Sequence, residues 1–145
     1  MQAPLLSRCE NLPTYSGSSN LTVNVGEDLA YTGQQRFNSF NINGSLLLCG
    51  SWTTREDTNV NENALFEMNG IFVNGRNRRR RNLNIADGAT VRIEGSLTIY
   101  GDIVMGENST LEFIGTESRA NVFGDVIRAN TAEVIGEFDD VQNKF

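Results

Sequence analysis

The sequence predicts an all-β chain, a single-domain parallel β-solenoid (β-helix) of about five turns behind an extended N-terminal arm, and three observations predict it. The first is composition. The chain of 145 residues holds 18 Asn and 14 Gly but only two prolines, Pro4 and Pro13. Asn and Gly tolerate left-handed backbone, so their spread along the chain implies many turns between short segments. The second is period-two alternation of apolar residues. Leu21, Val23 and Val25 alternate with polar neighbours, as do Val91, Ile93, Leu97 and Ile99, then Leu111 and Phe113. Such alternation puts one face of a strand inward. The third is an imperfect repeat. Ile42–Gly50 matches Ile93–Gly101 at an offset of 51, and Met68–Gly75 is a shorter copy at an offset of 26 from the first. Gly101-Asp102-Ile103 returns as Gly124-Asp125-Val126 at an offset of 23. A unit of 23 to 26 residues is expected, each turn burying its apolar side only by stacking on the next.

Three segments follow from this. Residues 1–19 carry both prolines and the run Ser16-Gly17-Ser18-Ser19, and read as an arm or cap. Residues 20–137 are the solenoid repeats. Residues 138–145 form a polar tail with an apolar end, either frayed or docked on a neighbour. The rival architecture is a β-sandwich of antiparallel hairpins, because the steps Asn43-Gly44, Asn69-Gly70 and Asn74-Gly75 also make good hairpin turns. Only Ser118–Asn130 resembles a helix, and Gly124 interrupts it. No segment reaches the ~18 apolar residues of a membrane span. The opening Met1–Leu6 lacks the basic region and apolar core of a complete signal peptide.

The chain contains no histidine, which removes the Ser-His-Asp and Cys-His arrangements and the commonest transition-metal ligand. Carboxylate-only catalysis stays open, but no catalytic residue, cofactor or metal site is expected. Glu94 with Asp102 could be paired as glycosidase carboxylates, but both occupy regular polar positions of the repeat. Cys9 and Cys49 have no metal-binding spacing. They are a disulfide candidate across forty residues, with two buried thiols as the alternative.

Charge is unevenly placed. Arg76-Asn77-Arg78-Arg79-Arg80-Arg81 holds five of the twelve basic residues. Residues 1–75 sum to −4, this run to +5 and residues 82–145 to −7, for a net charge of −6. So acidic a surface repels phosphate over most of its area, which disfavours nucleic acid as a partner. A solvated loop is one reading of the run. The functional reading is a subunit contact in which Arg76, Arg78, Arg79, Arg80 and Arg81 meet the acidic cluster Glu137, Asp139 and Asp140 of another copy. Trp52 follows a Gly-Ser step and is the best aromatic candidate for stacking on a glycan.

The runs Leu21–Glu27, Phe40–Gly50 and Ile85–Ile103, the last reading Gly88-Ala89-Thr90-Val91 and Gly95-Ser96-Leu97-Thr98-Ile99, resemble secreted bacterial cell-surface proteins with Gly- and Asn-rich β-solenoid repeats. The pair Gly101-Asp102-Ile103 and Gly124-Asp125-Val126 more weakly resembles bactofilins. The first resemblance covers about residues 20 to 115. It implies an extracellular or cell-surface location and a structural, filament-forming or adhesive role. The expected role is thus a structural subunit that self-associates through solenoid ends and Arg–acid contacts, with other copies of the chain as partner. An adhesin or carbohydrate-binding solenoid, with surface polysaccharide as partner, is the alternative.

Overall fold

A computed structural model describes residues 5–145. The chain winds through six coils. One face of the winding is a sheet of short strands, β1 (Asn20–Val23), β3 (Ser39–Ile42), β5 (Thr58–Val60), β7 (Leu83–Ile85), β9 (Ile103–Met105) and β12 (Val126–Arg128), stacked in that order. Each is followed by a longer stretch. In the first four coils this is a ten-residue strand: β2 (Asp28–Phe37), β4 (Ser45–Thr54), β6 (Leu65–Asn74) and β8 (Thr90–Ile99). In the last two it is split into β10 (Thr110–Phe113) with β11 (Arg119–Val122), and β13 (Glu133–Ile135) with β14 (Asp139–Asp140).

Every pairing between these strands is parallel. The solenoid reading therefore holds and the antiparallel sandwich does not. The Asn-Gly steps do not reverse the chain. Asn43-Gly44 lies in the turn before β4, Gly70 lies within β6, and Gly75 leads out of β6. Among the described residues no helix is long and apolar enough to cross a membrane.

The ten-residue strands are bent in the middle, which divides the wall into a second and a third face. The bend falls on Gly33, Gly50, Gly70 and Gly95, which stack in register with φ between +123° and +138°. A Cβ on Gly70 would collide with the carbonyl oxygen of Gly50, and one on Gly95 with that of Gly70. In the fifth coil an insertion, residues 114–118, replaces the glycine, and Ser118 Oγ accepts the amide of Gly95 at 3.1 Å.

Six coils replace the expected five because the repeat length is not constant. Along the short-strand sheet Asn20 stacks on Ser39, Phe40 on Thr58, Thr58 on Leu83, Leu83 on Ile103 and Ile103 on Val126, steps of 19, 18, 25, 20 and 23 residues. The offset of 23 is a true stacking step. The offset of 51 is not, since it matched Gly44, a turn residue, with Gly95, a bend residue whose partners are Gly70 and Gly50.

The interior is apolar and changes character along the axis. Phe37, Trp52, Phe40, Phe66 and Phe72 fill the N-terminal coils, with Phe37 stacked between Phe40 (4.8 Å) and Trp52 (5.5 Å). Ile85, Val91, Ile93, Leu97, Ile99 and Ile103 fill the middle. Asparagine does more than turn the chain. Asn41, Asn59 and Asn84 stack on the outer side of the short-strand sheet, Asn59 donating its amide to the carbonyl oxygen of Asn41 at 3.0 Å and Asn84 to that of Asn59 at 2.9 Å.

Both ends of the core are covered by the chain itself. At the N-terminal end Tyr15 packs edge-on against Tyr31, Phe37 and Trp52, and residues 13–15 bond to Thr32 of β2. Burial is the larger cause, and the neighbouring Tyr31 the lesser, of a Tyr15 phenol pKa held above its ordinary value. At the other end Phe138 stacks on Phe113 at 4.1 Å and Phe145 packs edge-on against both. The tail therefore lies on its own sixth coil, where Asp140 accepts the amides of Lys144 and Phe145.

The part of the arm that is described, from Leu5 onward, lies on the outside of the second face. Leu5–Arg8 is a 3-10 turn whose Leu5 is buried. Beneath it Leu47, Cys49 and Glu67 point away from the core and are buried all the same. Cys9 and Cys49 form the expected disulfide, Cα to Cα 5.9 Å. Arg8 Nη1 donates to both carboxylate oxygens of Glu67 at 2.8 Å. Glu67 also accepts from Arg92, which in turn reaches Glu112 at 3.0 Å, so a charged ladder runs up this face.

Candidate functional site

Corner lengths single out one place on the solenoid. Between the third face and the next short strand the chain uses Asn38 alone, then residues 55–57, 100–102 and 123–125 in the second, fourth and fifth coils. In the third coil it uses residues 75–82, which contain the whole Arg76–Arg81 run. The run is an insertion into a corner that otherwise turns in one to three residues. Insertions of this kind in repeat proteins stand out on one side and commonly serve binding.

The insertion is an ordered loop. Arg76 and Arg79 exchange backbone hydrogen bonds at 3.0 and 2.9 Å, closing a tight turn. Its root is held from inside the solenoid. Asn74, fully buried, accepts from the hydroxyls of Thr54 (2.6 Å) and Thr58 (2.5 Å) and donates to the carbonyls of Arg81 (2.9 Å) and Asn82 (3.0 Å). Outside, Glu56 pairs with Arg79 and, at 3.1 Å, with Arg81. The Arg79 hydrogen bond, aided by that from Arg81, holds the Glu56 carboxyl below the usual glutamate range.

The five arginines thus divide. Arg79 and Arg81 are half-buried and tied to Glu56, whereas Arg76, Arg78 and Arg80 are exposed and, among the described residues, make no ion pair. Two further arginines, Arg36 at the end of β2 and Arg55 after β4, belong to the same edge and are also exposed. Sequence reading missed them because they are 40 and 21 residues from Arg76 and meet it only through stacking.

Three acidic residues gather on another edge, where the glycine bend lies. The insertion 114–118 contributes Glu117 beside Glu94, and the turn between β13 and β14 contributes Glu137. Glu117 and Glu137 are exposed, and Glu94 accepts from Asn69 at 2.6 Å. Asp139 lies 3.6 Å from Arg119, and Asp140 is used by the tail. The chain therefore does not bring the Arg run to Glu137, Asp139 and Asp140 within one molecule. The Arg run and the trio Glu94, Glu117 and Glu137 occupy different edges. Glu94 and Asp102 are likewise apart, Glu94 beside the bend and Asp102 before β9, where it accepts the amide of Asp125 at 2.8 Å.

Trp52 corrects an expectation. It is fully buried, stacked on Phe37 in the core, with its indole N–H donating to the carbonyl of Cys49 at 3.2 Å. The Gly50-Ser51 step before it is a mid-strand bend, not an exposed turn, so the next inward position falls on Trp52. It offers no face to a sugar. Among the described residues no group of three or more Cys, Asp or Glu is placed to hold a metal ion. No protein-family model matches the chain, no curated protein matches it, and no solved structure matches it.

Proposed function

We propose that the chain is a structural module of an extracellular or cell-surface assembly, which self-associates side by side, the basic edge of one copy meeting the acidic edge of another. The observation that carries this reading is the placement of the five-arginine insertion 75–82 on one edge of the solenoid and of Glu94, Glu117 and Glu137 on another. A contact between unlike patches is heterologous, and unless it closes into a ring it propagates into a filament or layer. Arg forks facing carboxylates supply directional, charge-assisted pairing. The solenoid ends are the weaker candidates for contact. Pro13–Tyr15 occupies one and Phe138 with Phe145 covers the other. The Cys9–Cys49 bond supports an oxidising compartment.

Sedimentation velocity tests the reading. Association is expected in low-salt buffer and its loss near 1 M NaCl, where the screening length falls to about 3 Å. The exposed-loop variant Arg78→Glu/Arg80→Glu should remain monomeric at low salt. Strictly monomeric wild-type protein at low salt, across a wide concentration range, would overturn the proposal.

A further inference from the structure

We infer that a cleft at the root of the arginine loop, on the side facing Arg36 and Arg55, binds a single tetrahedral oxyanion: a sulfate or phosphate group, free or esterified to a larger molecule. The cleft encloses about 170 Å³ and is lined chiefly by Arg36, Thr53, Arg55, Arg76 and Arg79. No carboxylate lines it. Glu56 and Asp57, the two acids bonded to this loop, lie on the other side and share a cavity with Arg80 and Arg81. Four arginines therefore line a space with no carboxylate in its wall, an arrangement that like-charge repulsion disfavours until an anion fills it.

A second feature points the same way. Arg79 Nε is buried and has no hydrogen-bond partner, although the far end of the same guanidinium is paired with Glu56. A buried donor without a partner is uncommon in a folded chain and calls for an acceptor. The backbone cannot supply the recognition, because the amides of Arg55, Gly75 and Arg76 already bond to Phe37, Thr54 and Arg79. Recognition is by side chains alone.

Size and valence select the ligand. The volume is well below the roughly 300–1,000 Å³ of pockets that enclose a whole organic molecule. It suits one compact group. A planar carboxylate is saturated by one or two Arg forks, whereas a tetrahedral oxyanion presents oxygens toward several forks at once. The cleft lies on the same edge as the proposed association contact, but Arg78 and Arg80, at the exposed part of the loop, do not line it.

Isothermal titration of the intact protein with sodium sulfate, sodium phosphate and glucose 6-sulfate, with ionic strength held constant by NaCl, tests the inference. One-site, saturable binding of sulfate or phosphate is expected. Loss of two charge-assisted contacts in Arg36→Ala/Arg55→Ala should weaken it by at least about tenfold. Arg55→Glu alone should weaken it too. Both positions are exposed, and the folded state of each variant is checked by circular dichroism. Arg78→Ala/Arg80→Ala should leave the anion affinity unchanged while reducing self-association, which separates the two sites. Binding of the inorganic ions alone assigns a free anion, and binding of the sugar ester as well assigns an esterified group. No saturable binding of any of the three, or unaltered affinity in both Arg36→Ala/Arg55→Ala and Arg55→Glu, would overturn it.

Discussion

The residues that decide this architecture are glycines at the bend. Gly33, Gly50, Gly70 and Gly95 stack directly over one another, so each of the last three is constrained twice. Its own φ lies in the region that side chains rarely adopt, and the carbonyl of the glycine below occupies the space of a Cβ. Gly26 separates the two constraints. Its φ is +86°, but nothing lies within 4 Å of where a Cβ would be. Gly26→Ala should therefore cost only the left-handed penalty, about 1 kcal/mol. Gly70→Ala adds the backbone collision and should cost at least about 3 kcal/mol. Urea denaturation of both variants checks the difference. Equal losses would mean that the stacked carbonyls yield freely and that the bend is not set by steric exclusion.

Among elements, the N-terminal arm carries stability that the coils do not contain. It turns three outward residues, Leu47, Cys49 and Glu67, into buried ones, and the disulfide ties it across a separation of 40 residues. A loop of that length predicts a loss of about 4 kcal/mol for Cys9→Ser/Cys49→Ser on chain-entropy grounds. The loss should appear in chemical denaturation while the far-ultraviolet β signal of the native state persists. A double variant as stable as the parent would show that Leu5 and the Arg8–Glu67 pair fasten the arm unaided. How much of these elements could be read from sequence follows from their physics. Alternation marked inward positions well, because Leu21, Val23, Val91, Ile93, Leu97, Ile99, Leu111 and Phe113 are all buried. It failed at Val25, which is exposed in a turn, and at Trp52, where a mid-strand glycine resembles a turn glycine. The number of coils was hidden because corners of one to eight residues change the repeat length without changing the strands. The Arg run was legible as a candidate. Its partners on the same edge were not, because stacking alone brings Arg36 and Arg55 to it.

At the scale of the whole molecule, side-by-side and end-to-end association differ in which backbone they protect. Each inner coil has a hydrogen-bonded neighbour above and below. The short strands β1 and β12, by contrast, each pair on one side only, with β3 and β9 respectively. Stability in a stack is approximately a sum of such neighbour terms, so amides of β1 and of β12 to β14 should exchange with solvent faster than those of β4, β6 and β8. End-to-end stacking would give these strands a new neighbour and slow their exchange on assembly. Contact between the charged edges would leave them fast and slow residues 75–82 and 114–118 instead, since those loops would be covered. Hydrogen exchange read by mass spectrometry in low-salt and high-salt buffer distinguishes the two. Slowing confined to the loops is the expected result, and it should vanish in Arg78→Glu/Arg80→Glu. Slowing confined to β1 and β12–β14 would transfer the contact to the solenoid ends, and the two charged insertions would then need another explanation.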